Sequence, residues 1–294
     1  MSLIKGIYAA SLSIINDNLS LNIDKTIKHA ENIIDYGCHG VVFFGSTGQS
    51  QLISLSEKIL LINKLPRSNY KKKFIIGTGS NSLLDTIFLM RNSITLGFNK
   101  FLIMPPAYYK YKDDDVINFY SKIINEIKEC KIILYNFEKL SGYKFSVECV
   151  EKLVTKFPDQ IIGVKDSSYN LYEKLKINNF SILPGSESKL LKGLSMGCSG
   201  VITATCNVTA NLSRKVFDDF HKGKENISTE LLNNVRGEFD KYNLISALHT
   251  YFSKKEKIYQ NVIPPLSLMN KDEKQNFFQN LNNLNFSTNN LLFA

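Results

Sequence analysis

Ile161-Ile162-Gly163-Val164-Lys165-Asp166-Ser167-Ser168 is an apolar run that ends on a lysine. Short runs of this kind, closed by turn residues, read as strands buried on both faces. The same signature recurs along the chain in "IKGIYAAS", "GVVFFG", "KFIIGTG", "KFLIMPP", "KIILYN", "SILPG" and "GVITAT". Between these runs lie amphipathic stretches with apolar residues three and four apart, such as "IDKTIKHAENIIDYG" and "DDDVINFYSKIINEIKE". The second opens with acids, where the helix dipole favours them. Eight buried strands alternating with helices predict an α/β chain folded as a (β/α)8 TIM barrel with additional C-terminal helices. An open doubly wound sheet is the competing arrangement, but no GxGxxG follows the first strand, which removes its usual dinucleotide-binding form. The barrel is expected over residues 1–222, and "TELLNNVRGEFDKYNLISALHTYF" makes 223–294 a helical extension packed on it.

Composition narrows the function. The apolar share of 44% and charged share of 21% fit a globular protein, and no run approaches the ~20 apolar residues of a membrane span. Lys5 and the following "GIYAASLSII" could pass for a short leader but read better as the first strand. The five cysteines are scattered and lack CxxC spacing, so reduced thiols in a cytoplasm are expected, with no disulfide or zinc framework. The formal charge of +9 comes from short separate lysine clusters with no helix-turn-helix, RNP or zinc-finger pattern, so neither nucleic acid nor membrane is an expected partner. There is no HxH, HExxH or acidic cluster with ligand spacing, and no metal is expected. His29, His39, His221 and His249 form no constellation and are read as structural or surface residues.

In such barrels the active site is built at the carboxyl ends of the strands. Those ends carry Gly45-Ser46-Thr47-Gly48, Gly77-Thr78-Gly79, Pro105-Pro106-Ala107-Tyr108-Tyr109, Tyr135-Asn136, Lys165, Gly185-Ser186-Glu187 and Ile202-Thr203-Ala204-Thr205. A lysine at a strand end snorkels to solvent, pairs with a carboxylate, or reacts with a carbonyl. An amine desolvated among apolar neighbours is pushed toward its neutral form, which attacks ketones to give a Schiff base. Lys165 is the candidate for that step. A phenol in a dry pocket can move the accompanying protons, and Tyr135 is so placed. The Gly45–Gly48 turn offers consecutive backbone N–H groups and two hydroxyls to a small carboxylate. An α-keto acid meets both demands.

These residues together resemble the dihydrodipicolinate synthase / N-acetylneuraminate lyase family of class I, Schiff-base-forming barrel enzymes. The resemblance spans the chain: "GVVFFGSTGQS", "GTGSNSLLDTI", "MPPAYYKY", "YNFEKLSG", "GVKDSS", "PGSES", "GVITATCNV" and "VIPPLSL" occur in family order. It implies a metal-independent, pyruvate-dependent lyase whose only covalent device is an imine on Lys165, with no cofactor. Tyr135 would relay protons with Ser46, and Thr47 would bind the pyruvate carboxylate. The backbone at Ile202 would line the site. Tyr109, or Tyr108 beside it, matches the tyrosine that a neighbouring subunit donates, so a homo-oligomer, dimer or tetramer, is expected. Gly185, Ser167 and Glu187 are further substrate-side candidates, Glu187 having helix capping as its competing role.

Three departures bear on the substrate. The family's YNxP becomes Tyr135-Asn136-Phe137-Glu138, and Gln49 replaces the usual Glu after the glycine-flanked turn. Leu140 stands where dihydrodipicolinate synthases carry an arginine for the carboxylate of aspartate semialdehyde, and leucine cannot supply that fork. The reading therefore leans to sugar-derived keto acids. The synthase proper, a keto-deoxy sugar acid dehydratase and a non-catalytic ligand-binding barrel are the alternatives.

Overall fold

The structure is a computed structural model describing residues 4–286, so the two ends of the expected barrel and extension, 1–3 and 287–294, lie outside the described residues. Eight strands are present: β1 (Gly6–Ala10), β2 (Gly40–Phe43), β3 (Phe74–Gly77), β4 (Lys100–Ile103), β5 (Lys131–Asn136), β6 (Ile161–Asp166), β7 (Ser181–Pro184) and β8 (Gly200–Thr203). They are the eight apolar runs of the sequence. The helices between and after them are α1 (Ile23–Asp35), α2 (Leu55–Lys64), α3 (Leu83–Thr95), α4 (Asp113–Glu126), α5 (Glu138–Ser141), α6 (Val147–Lys156), α7 (Leu190–Ser195) and α8 (Cys206–His221). Three more follow: α9 (Thr229–Asp240), α10 (Leu244–Ser253) and α11 (Lys271–Asn283).

All strand pairs are parallel, in the order β7-β6-β5-β4-β3-β2-β1-β8. The Ser199 N–H donates to the Ile182 carbonyl at 2.9 Å across the remaining seam, so the sheet closes into a barrel. Residues of alternating parity divide between two cores. Val42, Ile75, Leu102, Ile133, Leu183 and Ile202 fill the interior. Their neighbours Val41, Phe43, Ile76, Phe101, Leu134 and Val201 face the helices. Where β1 meets β8 the backbones approach so closely that a Cβ on Gly200 would lie 1.9 Å from the Gly6 carbonyl oxygen, and φ there is +145°. Only glycine fits.

Local chemistry fixes the helix starts. Ser54 and Glu57 form a reciprocal capping box at α2, and the Glu57 carboxylate also takes the Leu21 N–H at 2.8 Å. The expected alternation fails once: no α-helix joins β6 to β7. Instead the Asp166 carboxylate gathers the N–H groups of Tyr169, Leu171 and Tyr172, holding this segment as an irregular loop.

α9, α10 and α11 pack Val235, Phe239, Leu248, Tyr251, Phe252 and Phe277 against Leu12, Ile14 and Val208. A buried ion pair ties α9 to the strand ends. Glu187 is fully buried, and its carboxylate accepts from Thr203, Thr205 and Thr209 hydroxyls and from Arg236 Nη1 at 3.0 Å. Burial alone would raise this carboxyl, but Arg236 and the hydroxyls hold it below the usual carboxylate range. Removing the guanidinium leaves a buried charge without its partner. Arg236→Ala is therefore expected to cost about 3–5 kcal/mol of stability, read as a lowered urea midpoint.

Candidate functional site

β5 and β6 set the centre of the site. Their register puts Tyr135 beside Lys165 and Asn136 beside Asp166. Strand alternation turns the first pair inward and the second pair to the opposite side. Asn136 and Asp166 lock this register from behind: Asn136 Nδ2 donates to Asp166 Oδ1 at 2.8 Å and to Asn170 Oδ1 at 2.8 Å, while its own oxygen accepts from the Phe145 N–H at 3.1 Å.

With both Asp166 oxygens engaged, its neighbour Lys165 cannot pair with it. Lys165 is 3% exposed, and its Nζ makes no hydrogen bond or ion pair among the described residues. It lies 4.2 Å from the centroid of the Tyr135 ring. The lysine neither snorkels nor pairs.

The Tyr135 hydroxyl is 3.0 Å from Ser46 Oγ, which reaches it from the turn after β2. That turn is a single 3-10 turn, Ser46–Gly48, closed by Gly48 N–H to Gly45 O and Gln49 N–H to Ser46 O, each at 3.0 Å. Thr47 is buried within it, and Ile202 is buried in the barrel interior, in the same cluster as Tyr135. The structure thus brings together Lys165, Tyr135 and Ser46, with Thr47 and Ile202 at the same end. A cavity of about 420 Å³ has Gly45, Ser46, Gln49, Asn81, Tyr135 and Leu140 in its lining, so Ser46 and Tyr135 form part of its wall, while Lys165, Thr47 and Ile202 do not. None of its lining residues carries a charged side chain.

The remaining candidates are placed differently. Gly185 and Ser167 abut at the ends of β7 and β6, and a Cβ on Gly185 would meet Ser167 Oγ at 2.2 Å. Tyr109 is 69% exposed in the loop after β4 and contacts Tyr108, not Tyr135 or Ser46. Glu187 is corrected: neither a group for substrate hydroxyls nor a helix cap, it is committed to Arg236 and three threonines, with no capacity left for a ligand.

Two features escaped the sequence. Lys58 is a second buried lysine, with Nζ donating to Gly79 O at 2.7 Å and Thr78 O at 3.2 Å at the end of β3; burial, opposed by Asp85, lowers its amine to about 8. The histidines are not independent either. His29 bonds Tyr259 Oη (2.8 Å) and Asn207 Oδ1 (2.9 Å), while His249 bonds Gln49 Nε2 (3.3 Å) and the Tyr259 carbonyl (3.0 Å). One chain of hydrogen bonds therefore runs from the cavity wall to the start of α8. Its members are 49, 249, 259, 29 and 207 in sequence, too far apart for any motif to display.

The Dihydrodipicolinate synthetase family profile matches residues 3–284. The chain belongs to that family. It is a lyase, similar at 32% identity to a DapA-like lyase of Chloroflexus aurantiacus over 65% of this chain and 66% of the other. A 4-hydroxy-tetrahydrodipicolinate synthase of Listeria monocytogenes is 30% identical over 73% and 76% of the two chains. A 2-dehydro-3-deoxy-D-gluconate/2-dehydro-3-deoxy-phosphogluconate aldolase of Picrophilus torridus is 28% identical over 82% and 90%. The crystal structure of YagE, an E. coli K12 prophage protein of the dihydrodipicolinic acid synthase family in complex with pyruvate, superposes with a TM-score of 0.86 at 20% identity, covering 97% of this chain and 100% of that one.

Burial pushes both fully buried imidazoles, His29 and His249, down to about 4. Between an unfolded value near 6.5 and about 4 the unfolded chain binds more protons than the folded one, so stability falls as pH drops through that window and levels off below it. Each imidazole contributes roughly 3 kcal/mol to that loss. Urea midpoints recorded from pH 7 to 4 check it, and His29→Gln should flatten the decline.

Proposed function

We propose that this lyase is a class I aldolase that cleaves a 2-keto acid to pyruvate and an uncharged aldehyde through an imine on Lys165. The observation that carries the reading is a buried amine with no hydrogen-bond or ion-pair partner among the described residues, lying over the ring of a tyrosine whose hydroxyl is bonded to a serine hydroxyl. The Lys165 nitrogen attacks C2 of the keto acid, and loss of water gives the protonated imine. That cation takes up the electrons of the C3–C4 bond as it breaks, while the C4 hydroxyl proton leaves through Tyr135 and Ser46. Protonation at C3 and hydrolysis then return pyruvate and the free amine. The imine itself is the electron sink, so no metal or cofactor is required. Thr47 and the turn's N–H groups would hold the C1 carboxylate, with Ile202, Ser167 and Gly185 as further neighbours of the bound keto acid.

The substrate lean follows from the cavity. Leu140 and its companions offer no cation to a second carboxylate or a phosphate, and the Picrophilus relative acts, by its name, on 2-dehydro-3-deoxy-D-gluconate or its phosphate. A neutral sugar-derived aldehyde fits this lining. The similarity to a named synthase favours semialdehyde condensation as the second reading, and the missing cation counts against it. A homo-oligomer is part of the proposal: Tyr109 and Tyr108, 69% and 90% exposed, adjoin the β3–α3 loop through the Ala107 N–H to Asn81 Oδ1 bond of 2.9 Å, and Leu84 and Phe88 on α3 are also exposed. A second copy would cover them and supply Tyr109 to its neighbour's site. Five buried free cysteines favour a cytoplasmic setting, and no described helix is long and apolar enough to cross a membrane.

Pyruvate release is expected from 2-keto-3-deoxygluconate or N-acetylneuraminate and not efficiently from a phosphorylated analogue. Tyr135→Phe should lower kcat by about 10²–10⁴-fold. Efficient condensation of aspartate semialdehyde with no release from either sugar acid would transfer the assignment to the second reading.

A further inference from the structure

Gln49 directly follows the turn that carries Ser46 and Thr47. Its N–H closes that turn on Ser46 O, and its backbone takes the left-handed conformation (φ 55°, ψ 30°) that non-glycine residues adopt only when held there. The side chain is 3% exposed and does the holding: Oε1 accepts the Ile263 N–H at 2.8 Å, and Nε2 faces His249 Nε2 at 3.3 Å. The sense of that last bond is forced. His249 Nδ1 lies 3.0 Å from the Tyr259 carbonyl, which can only accept, so Nδ1 carries the hydrogen and Nε2 presents a lone pair to the Gln49 amide.

We propose that Gln49 is a positioning residue for the carboxylate-binding turn, held by the unprotonated imidazole of His249, so that the C-terminal helices govern the site's affinity for its keto acid. The proposal rests on the reading of that turn as the pyruvate carboxylate site. A proton on His249 Nε2 would point at the Gln49 amide hydrogens, and turning the amide over would set them against the Ile263 N–H. One bond is lost either way. The titratable groups facing His249 are Tyr259, from the 257–260 turn, and His29, from α1; no carboxylate or cation lies within ion-pairing distance of it among the described residues. A glutamate at 49 would reverse the requirement, since its carboxylate could accept from both the Ile263 N–H and a protonated His249.

The test uses the full chain, pyruvate and borohydride, with trapped imine measured by intact mass as pyruvate is varied at pH 8, 7 and 6. Gln49→Ala is expected to raise the half-saturating pyruvate concentration about tenfold, with the same yield at saturation. For Gln49→Glu the ratio of half-saturating pyruvate to that of the wild-type chain should be raised at pH 8 and fall as the pH drops, a dependence that a packing defect does not produce. In the ligand-free protein, Gln49→Glu should also increase the proton affinity of His249 about a hundredfold or more, from a pKa of about 4 into the pH range of the trapping assay, followed by NMR. Melting curves confirm that the variants fold. Half-saturation unchanged in both variants, a ratio flat with pH, or an unmoved His249 titration overturns the proposal. No adduct at any pyruvate concentration on the wild-type chain removes the imine itself, and the positioning role with it.

Discussion

The site depends on one hydrogen bond between neighbouring strands, Asn136 Nδ2 to Asp166 Oδ1. It fixes the register in which Tyr135 and Lys165 meet, because parallel strands carry their side chains alternately in and out and a slip of one residue would send both to the wrong face. It also disposes of the anion nearest to Lys165. An aspartate next to a buried lysine would ordinarily be its counter-ion. Here its oxygens are filled by Asn136 and the N–H groups of Tyr169, Leu171 and Tyr172, and the amine is left with no ion-pair partner among the described residues, against the Tyr135 ring.

The same economy recurs around the rim. Every other buried charge near the strand ends is spoken for: Glu187 by Arg236 and three threonines, Lys58 by two carbonyls. These commitments serve the frame. The Glu187 cluster clamps β8 next to Ile202 and joins α9 to it, Lys58 holds the end of β3, and the Gln49–His249 contact ties the turn after β2 to α10. The C-terminal helices are thus joined to the barrel at the end where the candidate site lies.

What the sequence disclosed follows from locality. The eight strands were readable because runs such as "KIILYN" and "GVVFFG" are buried on both faces, and a glycine-flanked turn or a lysine ending a strand is visible in a few residues. The strand ends Ser46, Tyr135 and Lys165 then converge by the geometry of any barrel. Roles that depend on distant partners were not readable. Glu187 looked like a cap or a ligand because Arg236 is 49 positions away. His29 and His249 looked unrelated because Tyr259 and Asn207 link them only in space. The absent helix between β6 and β7 reflects a carboxylate collecting backbone N–H groups, which competes with helix formation in a way that periodicity does not record.

Two buried lysines offer opposed reasons to be the nucleophile. Lys58 has the lowered basicity, but its hydrogens point at Gly79 O and Thr78 O; Lys165 has the uncommitted amine and the phenol beside it. Peptide mapping of the protein after borohydride reduction in saturating pyruvate separates them most directly. The account predicts the reduced pyruvate adduct on the peptide that contains Lys165 and its disappearance in Lys165→Ala. An adduct on Lys58, or one that persists in that variant, would contradict it.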